Sequence, residues 1–154
     1  MATPVIELIA ANLLSTIAKV TEQSGYQYTL TAQRRTRAGV QRDHLNAVLI
    51  QDNPRPVKDP KVPNTNEWDQ TFAVGVFIIP AEEDRTSIDT YVNIITSDVQ
   101  KAVMIDRYRG GNAMDTRIVA PELVPEEALE YDMAIINVEV NWRVSELDPY
   151  VNAK

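Results

Sequence analysis

The sequence predicts an α+β (mixed α/β) fold: a mostly antiparallel sheet packed against two helices, in a single domain. Three observations predict the architecture. Two segments repeat apolar residues at spacings of three and four, the signature of an amphipathic helix. Several others alternate apolar and polar residues with period two, the signature of a strand. The order along the chain is helix, three strands, helix, short strand, long strand, which suits helices laid on one antiparallel sheet.

The first helix is predicted from about Pro4 to Gln23. Thr3 can cap it and Pro4 suits its first position. Ile6, Ile9, Leu13, Ile17 and Val20 form its stripe, and Ser24-Gly25 stops it. Tyr28, Leu30 and Ala32 alternate with Gln27, Thr29, Thr31 and Gln33, giving a strand. A polar, basic loop containing Gly39 follows, and residues 45–51 read as a second strand, expected to pair with the first as a hairpin. Residues 52–67 hold Pro54, Pro56, Pro60 and Pro63. Proline removes backbone donors and fixes φ, so an extended proline-rich arm is predicted there.

Residues 69–79 read as a strand with Phe72, Val74, Val76 and Ile78 on one face. Thr71, Ala73, Gly75, Phe77 and Ile79 lie on the other, which is also mostly apolar, so both faces are expected to be covered. Glu82, Glu83 and Asp84 then precede a helix striped by Ile88, Val92, Ile95, Val99 and Val103, where acids favour the positive end of the helix dipole. Gly110-Gly111 marks a turn, Thr116–Val119 a short strand, and Pro121–Glu130 an acidic loop. Residues 131–144 alternate most cleanly, with Ala134, Ile136, Val138, Val140, Trp142 and Val144 on one face. A loose or partner-bound tail is expected over residues 145–154.

Composition narrows the function. The 154 residues carry 44% hydrophobic and 24% charged side chains, the mix of a folded domain. No apolar run is long enough to span a bilayer, and Met1-Ala2-Thr3-Pro4 does not open a signal peptide, so a cytosolic setting is expected. Without cysteine, thiol catalysis, disulfides and Cys-ligated zinc are excluded. The net charge of −7 is the wrong sign for a dedicated nucleic-acid binder. That charge is uneven. Residues 27–61 hold seven basic residues (Arg34, Arg35, Arg37, Arg42, Arg55, Lys58 and Lys61) against three acids (Asp43, Asp52 and Asp59). The segment is therefore +4, and the rest of the chain is −11. Such segregation suits subunits that meet head to tail; its ordinary alternative is a solvated surface.

No catalytic constellation emerges. His44 is the only histidine and no G-x-S-x-G accompanies it, so it reads as a polar strand-edge residue. Glu82-Glu83-Asp84, and Glu126-Glu127 with Glu130, read as helix-start or surface charge rather than metal ligands or general acids. Gly110-Gly111 lacks the spacing of a phosphate loop. Arg34-Arg35-x-Arg37 could grip a carboxylate or phosphate and is assigned to a subunit or partner contact. Trp68 and Trp142 read as core or interface anchors.

Taken together, the segments resemble the tail terminator, or tail completion, proteins of long-tailed bacteriophages, over most of the chain. The resemblance rests on the amphipathic first helix, the basic strand-loop-strand, the Phe72–Ile79 strand and the Ser87–Met104 helix. It rests also on Asp106-Arg107-Tyr108-Arg109-Gly110-Gly111, and on a long late strand closing in Leu147-Asp148-Pro149-Tyr150. It implies a non-enzymatic virion protein assembled in the host cytoplasm, without cofactor. Such a protein forms a ring, expected to be hexameric, that caps the tail tube and meets the head connector while DNA passes through. The arm at 52–67 is longer than the pattern needs and suggests a clamp on a neighbour. The expected interface residues are Arg34, Arg35, Arg37, Pro54, Pro56, Lys58, Pro60, Lys61, Phe77, Ile79, Asp148, Pro149 and Tyr150. The alternatives are a head–tail adaptor or other neck protein, a monomeric binding module, and a small metal-dependent hydrolase.

Overall fold

A computed structural model describes residues 2–57, 62–119 and 132–153. Its elements run α1 (Val5–Ala18), β1 (Thr31–Arg34), β2 (Asn46–Gln51), β3 (Arg55–Pro56), β4 (Thr65–Ile78), α2 (Ile88–Val103), β5 (Asp115–Val119), β6 (Asp132–Ser145) and β7 (Asp148–Asn152). Among the described residues, seven strands join one sheet in the order β1-β2-β4-β6-β5, with β3 added to β4 and β7 to β6. The fold is thus mixed α/β, with a mostly antiparallel sheet and two helices.

The spine of the sheet is the β4–β6 ribbon, paired without a break from Thr65↔Ser145 to Ile78↔Asp132. Both strands place every second residue on the helix side. Phe72, Val74, Val76 and Ile78 from β4 meet Ala134, Ile136, Val138 and Val140 from β6, all buried. Ile9, Leu13 and Ile17 of α1 and Ile95, Val99 and Val103 of α2 close this core from above. Fully burying each such side chain contributes about 1.5–3 kcal/mol, an upper bound against a compact unfolded chain. Trp68 and Trp142, opposite each other in the ribbon, stack with centroids 6.2 Å apart.

Four expectations need correction. First, α1 stops at Ala18, not Gln23, and Pro4 occupies the cap rather than the first helical position. Thr21 turns extended and its hydroxyl accepts from Ser24 N–H, starting a separate short 3-10 turn that Gly25 ends at φ 92°. Second, β1 and β2 are parallel, not a hairpin: Thr31 pairs with Asn46 and Arg34 with Leu49. The loop doubles back at Thr36–Gly39 and is tied to β1 through Gln33, whose side chain bonds both the N–H and the C=O of Gln41. Leu45, at φ 63°, then redirects the chain alongside the start of β1.

Third, the proline-rich arm is partly sheet. Arg55 pairs with Asp69 and Pro56 with Trp68, and Thr65–Glu67 already belong to β4. The prolines are tolerated because β3 is an edge strand. Of the arm, Lys58, Pro60 and Lys61 lie outside the described residues, as does the predicted loop at 121–130. Fourth, the C-terminal tail turns at Glu146-Leu147 and returns as β7, pairing with β6 across a bulge. Asn152 fastens it by donating from Nδ2 to the Gly111 carbonyl at 2.9 Å.

Candidate functional site

The second face of the β4–β6 ribbon carries Glu67, Asp69, Thr71, Ala73, Gly75 and Phe77 opposite Arg143, Asn141, Glu139, Asn137, Ile135 and Met133. It grades from charged at one end to apolar at the other. At the charged end the carboxylates are paired. Arg143 lies 3.4 Å from Glu67, with both side chains only about one-tenth exposed, and Asn141 donates to Asp69 at 3.0 Å. At the apolar end Gly75 leaves room for the Met133 side chain, whose Cε would lie 2.7 Å from any Cβ placed there.

Glu139 sits at the centre and is 9% exposed. Two arginines from opposite flanks meet on it. Arg55 of β3 reaches one oxygen at 3.0 Å, and Arg117 of β5 reaches the other. The hydrogen bond to Glu139 and its charge push the Arg117 pKa up. Together they bridge the sheet face, and the face becomes a trough. On one side of the bridge is a cavity of about 660 Å³, lined in part by Arg35, Ile50, Asp52, Ala73, Val119 and Asn137. On the other is one of about 320 Å³, lined by Val57, Glu67, Asp69, Asp115 and Arg117 among others. A further concavity of about 660 Å³ adjoins the first at the sheet edge, with Arg37, Leu49 and Pro54 on its walls.

The structure divides the predicted arginine cluster. Arg34 faces the helices and pairs with Glu7 of α1, so it ties β1 to α1. Arg35, one residue later, lines the trough, and Arg37 stands in the exposed turn. Neither Arg35 nor Arg37 forms an ion pair with another described residue. Pro54 joins them at the edge concavity, and Pro56 sits on exposed β3. Phe77 is buried by the chain itself at 4% exposure, so it offers no free surface, whereas Ile79 is 41% exposed. Asp148, Pro149 and Tyr150 lie on exposed β7 at the opposite edge of the sheet.

Three groups of side chains were not foreseen. Glu139, Arg55 and Arg117 come together only through the pairing of β3 and β5 with the ribbon. His44 is more than polar filler: its Nδ1 accepts from Ile79 N–H at 2.9 Å, and its ring meets Tyr91 edge-on at 5.4 Å. Tyr91 in turn donates to Asp84, which raises the phenol to about 12 and lowers the carboxyl. Partial burial lowers the His44 pKa, and Asp84 opposes that shift. Last, Arg109 is fully buried at φ 49°, its guanidinium donating to the Val103 and Asp106 carbonyls at the end of α2. Burial would raise the Asp106 carboxyl, but N–H groups of Gly110 and Tyr108 and the charge of Arg109 hold it low. These bonds account for the Asp-Arg-Tyr-Arg-Gly-Gly turn as a helix terminus.

Among the described residues, no three His, Asp or Glu side chains are placed to hold a metal ion, and no helix is long and apolar enough to cross a membrane. Neither the protein-family models nor the curated proteins contain a match to this chain.

Proposed function

We propose that this chain is a non-enzymatic subunit that closes into a ring at the end of a phage-type tail tube, as a tail terminator does. The observation that carries the reading is that the two lateral edges of the sheet differ in kind. One edge, built from β1 and β3, presents Arg35, Arg37 and Arg55. The other, built from β5 and β7, presents Asp148, Tyr150 and Val151 beside charges that are already paired, Asp115 with Arg107 and Arg117 with Glu139. Ring closure by rotation needs two unlike, complementary patches on opposite sides of one subunit. The fold and the resemblance in segment order support the same reading, with the tail tube and the head connector as partners above and below the ring. DNA passes through the lumen, and the acidic excess of the chain would keep it from binding there.

Co-expression with tail-tube protein and with connector protein tests the position in the particle. Capture on the tube end supports a terminator, whereas capture on the connector alone would make the chain a head–tail adaptor. Burial of Phe77 inside the chain favours a second reading, a monomeric binding module that completes its own core. That reading expects a monomer at every concentration, with or without tube protein.

A further inference from the structure

We infer that the β6–β7 hairpin tip of one copy plugs into the arginine-lined trough of the next, with Leu147 as the knob. The inference rests on the ring reading and names the contact that would close it. Leu147 is 94% exposed, the most exposed of the large apolar residues in the described chain, and it stands at the hairpin turn. It is flanked by two acids, Glu146 and Asp148, neither in an ion pair with another described residue. The tip is therefore an apolar side chain between two negative charges.

The trough, toward its β1 end, has the complementary chemistry. Its larger cavity, about 660 Å³, is lined mostly by polar side chains, with Ile50, Ala73 and Val119 as its apolar patch. Arg35 stands at its side, Arg55 beside it is turned to Glu139, and Arg37 stands next to it in the adjoining concavity. Its acids do not cancel this. Glu139 is already held by Arg55 and Arg117, while Asp52 is a single charge against Arg35 and Arg37. The cavity is several times larger than one leucine side chain, so it can take the whole Glu146–Leu147–Asp148 tip. Arg35 and Arg37 match the two carboxylates around the Leu147 knob, and the patch of Ile50, Ala73 and Val119 matches the knob itself. The tip lies at the β7 edge and Arg35 and Arg37 follow β1 at the opposite edge, as a head-to-tail contact requires.

Leu147→Asp and a charge-swap pair test it, with assembly read by light scattering at a concentration where the wild type associates. Leu147→Asp is expected to weaken association at least about tenfold, as loss of a central anchor does, while its thermal midpoint stays at the wild-type value. Arg35→Glu with Arg37→Glu, and separately Glu146→Lys with Asp148→Lys, should each abolish association. Mixing those two variants, or joining all four changes in one chain, should restore it, because tip and trough again carry opposite signs. Wild-type assembly that survives Leu147→Asp, or charge swaps that fail to rescue each other, would overturn the plug and leave the ring standing. A wild type that never associates would overturn the ring itself.

Discussion

The two faces of the β4–β6 ribbon use the same strands and teach opposite lessons. The helix-side face is filled by aliphatic and aromatic side chains and sealed by α1 and α2. The other face shares the same backbone but gathers Glu67, Arg143, Glu139, Asn141 and Asp69 into a trough bridged by Arg55 and Arg117. The first face is built for stability through dispersion and burial. The second pairs Glu67 and Glu139 largely out of water, where desolvation offsets much of the Coulombic gain, so it contributes less to stability than the helix side.

The largest difference between the faces should appear on truncation. Phe72→Ala removes a fully buried ring from the helix side and should cost about 3–5 kcal/mol, read from the shift in denaturant midpoint. Glu139→Ala on the trough side should cost less, about 1–2 kcal/mol, because the two arginines it leaves are two-thirds exposed and rehydrate. Removing Arg55 and Arg117 along with Glu139 should recover part of that loss. Equal losses at Phe72 and Glu139 would mean that the trough is as much core as the helix side.

Gly75→Ala sharpens the comparison at the apolar end of the trough. The new methyl must displace only the end of the Met133 side chain, so the stability change should stay within about 1 kcal/mol. A larger loss would show that Met133 cannot move.

The smallest effect should come from His44 at the rim. Its folded pKa lies below the ordinary histidine value, so the folded state favours the neutral ring. Its contribution is therefore present above about pH 6.5 and is lost as pH falls through the lowered folded value. Protonation also places a second donor against Ile79 N–H. The single histidine makes this readable by NMR: its midpoint should fall below 6.5. In His44→Gln the loss of stability between pH 6.5 and 5 should shrink.

Much of the helix-side face was legible in the sequence, because period-two alternation in Phe72–Ile78 and Ala134–Val144 and the stripe of α2 depend only on local geometry. The trough was not. Glu139 reads as one more outward polar residue in its strand, and only the non-local pairing of Arg55 with Asp69 and Arg117 with Glu139 reveals it as a centre. The parallel pairing of β1 and β2 was hidden for a related reason. A short basic loop with a glycine suggests a hairpin, and nothing local announces the turn at Leu45. Arg34 and Arg35 were grouped by adjacency, although strand alternation sends them to opposite faces. The return of the tail as β7 was missed because Asp148-Pro149 argues locally against a strand, yet an edge position tolerates it.

The claim at the centre is that unlike edges of one sheet meet between copies. The most direct test is the mass of the purified protein across a concentration series by light scattering, with and without tail-tube protein. The ring account predicts a closed oligomer, expected to be a hexamer, either alone or on addition of tube protein. A monomer at every concentration in both conditions would contradict it.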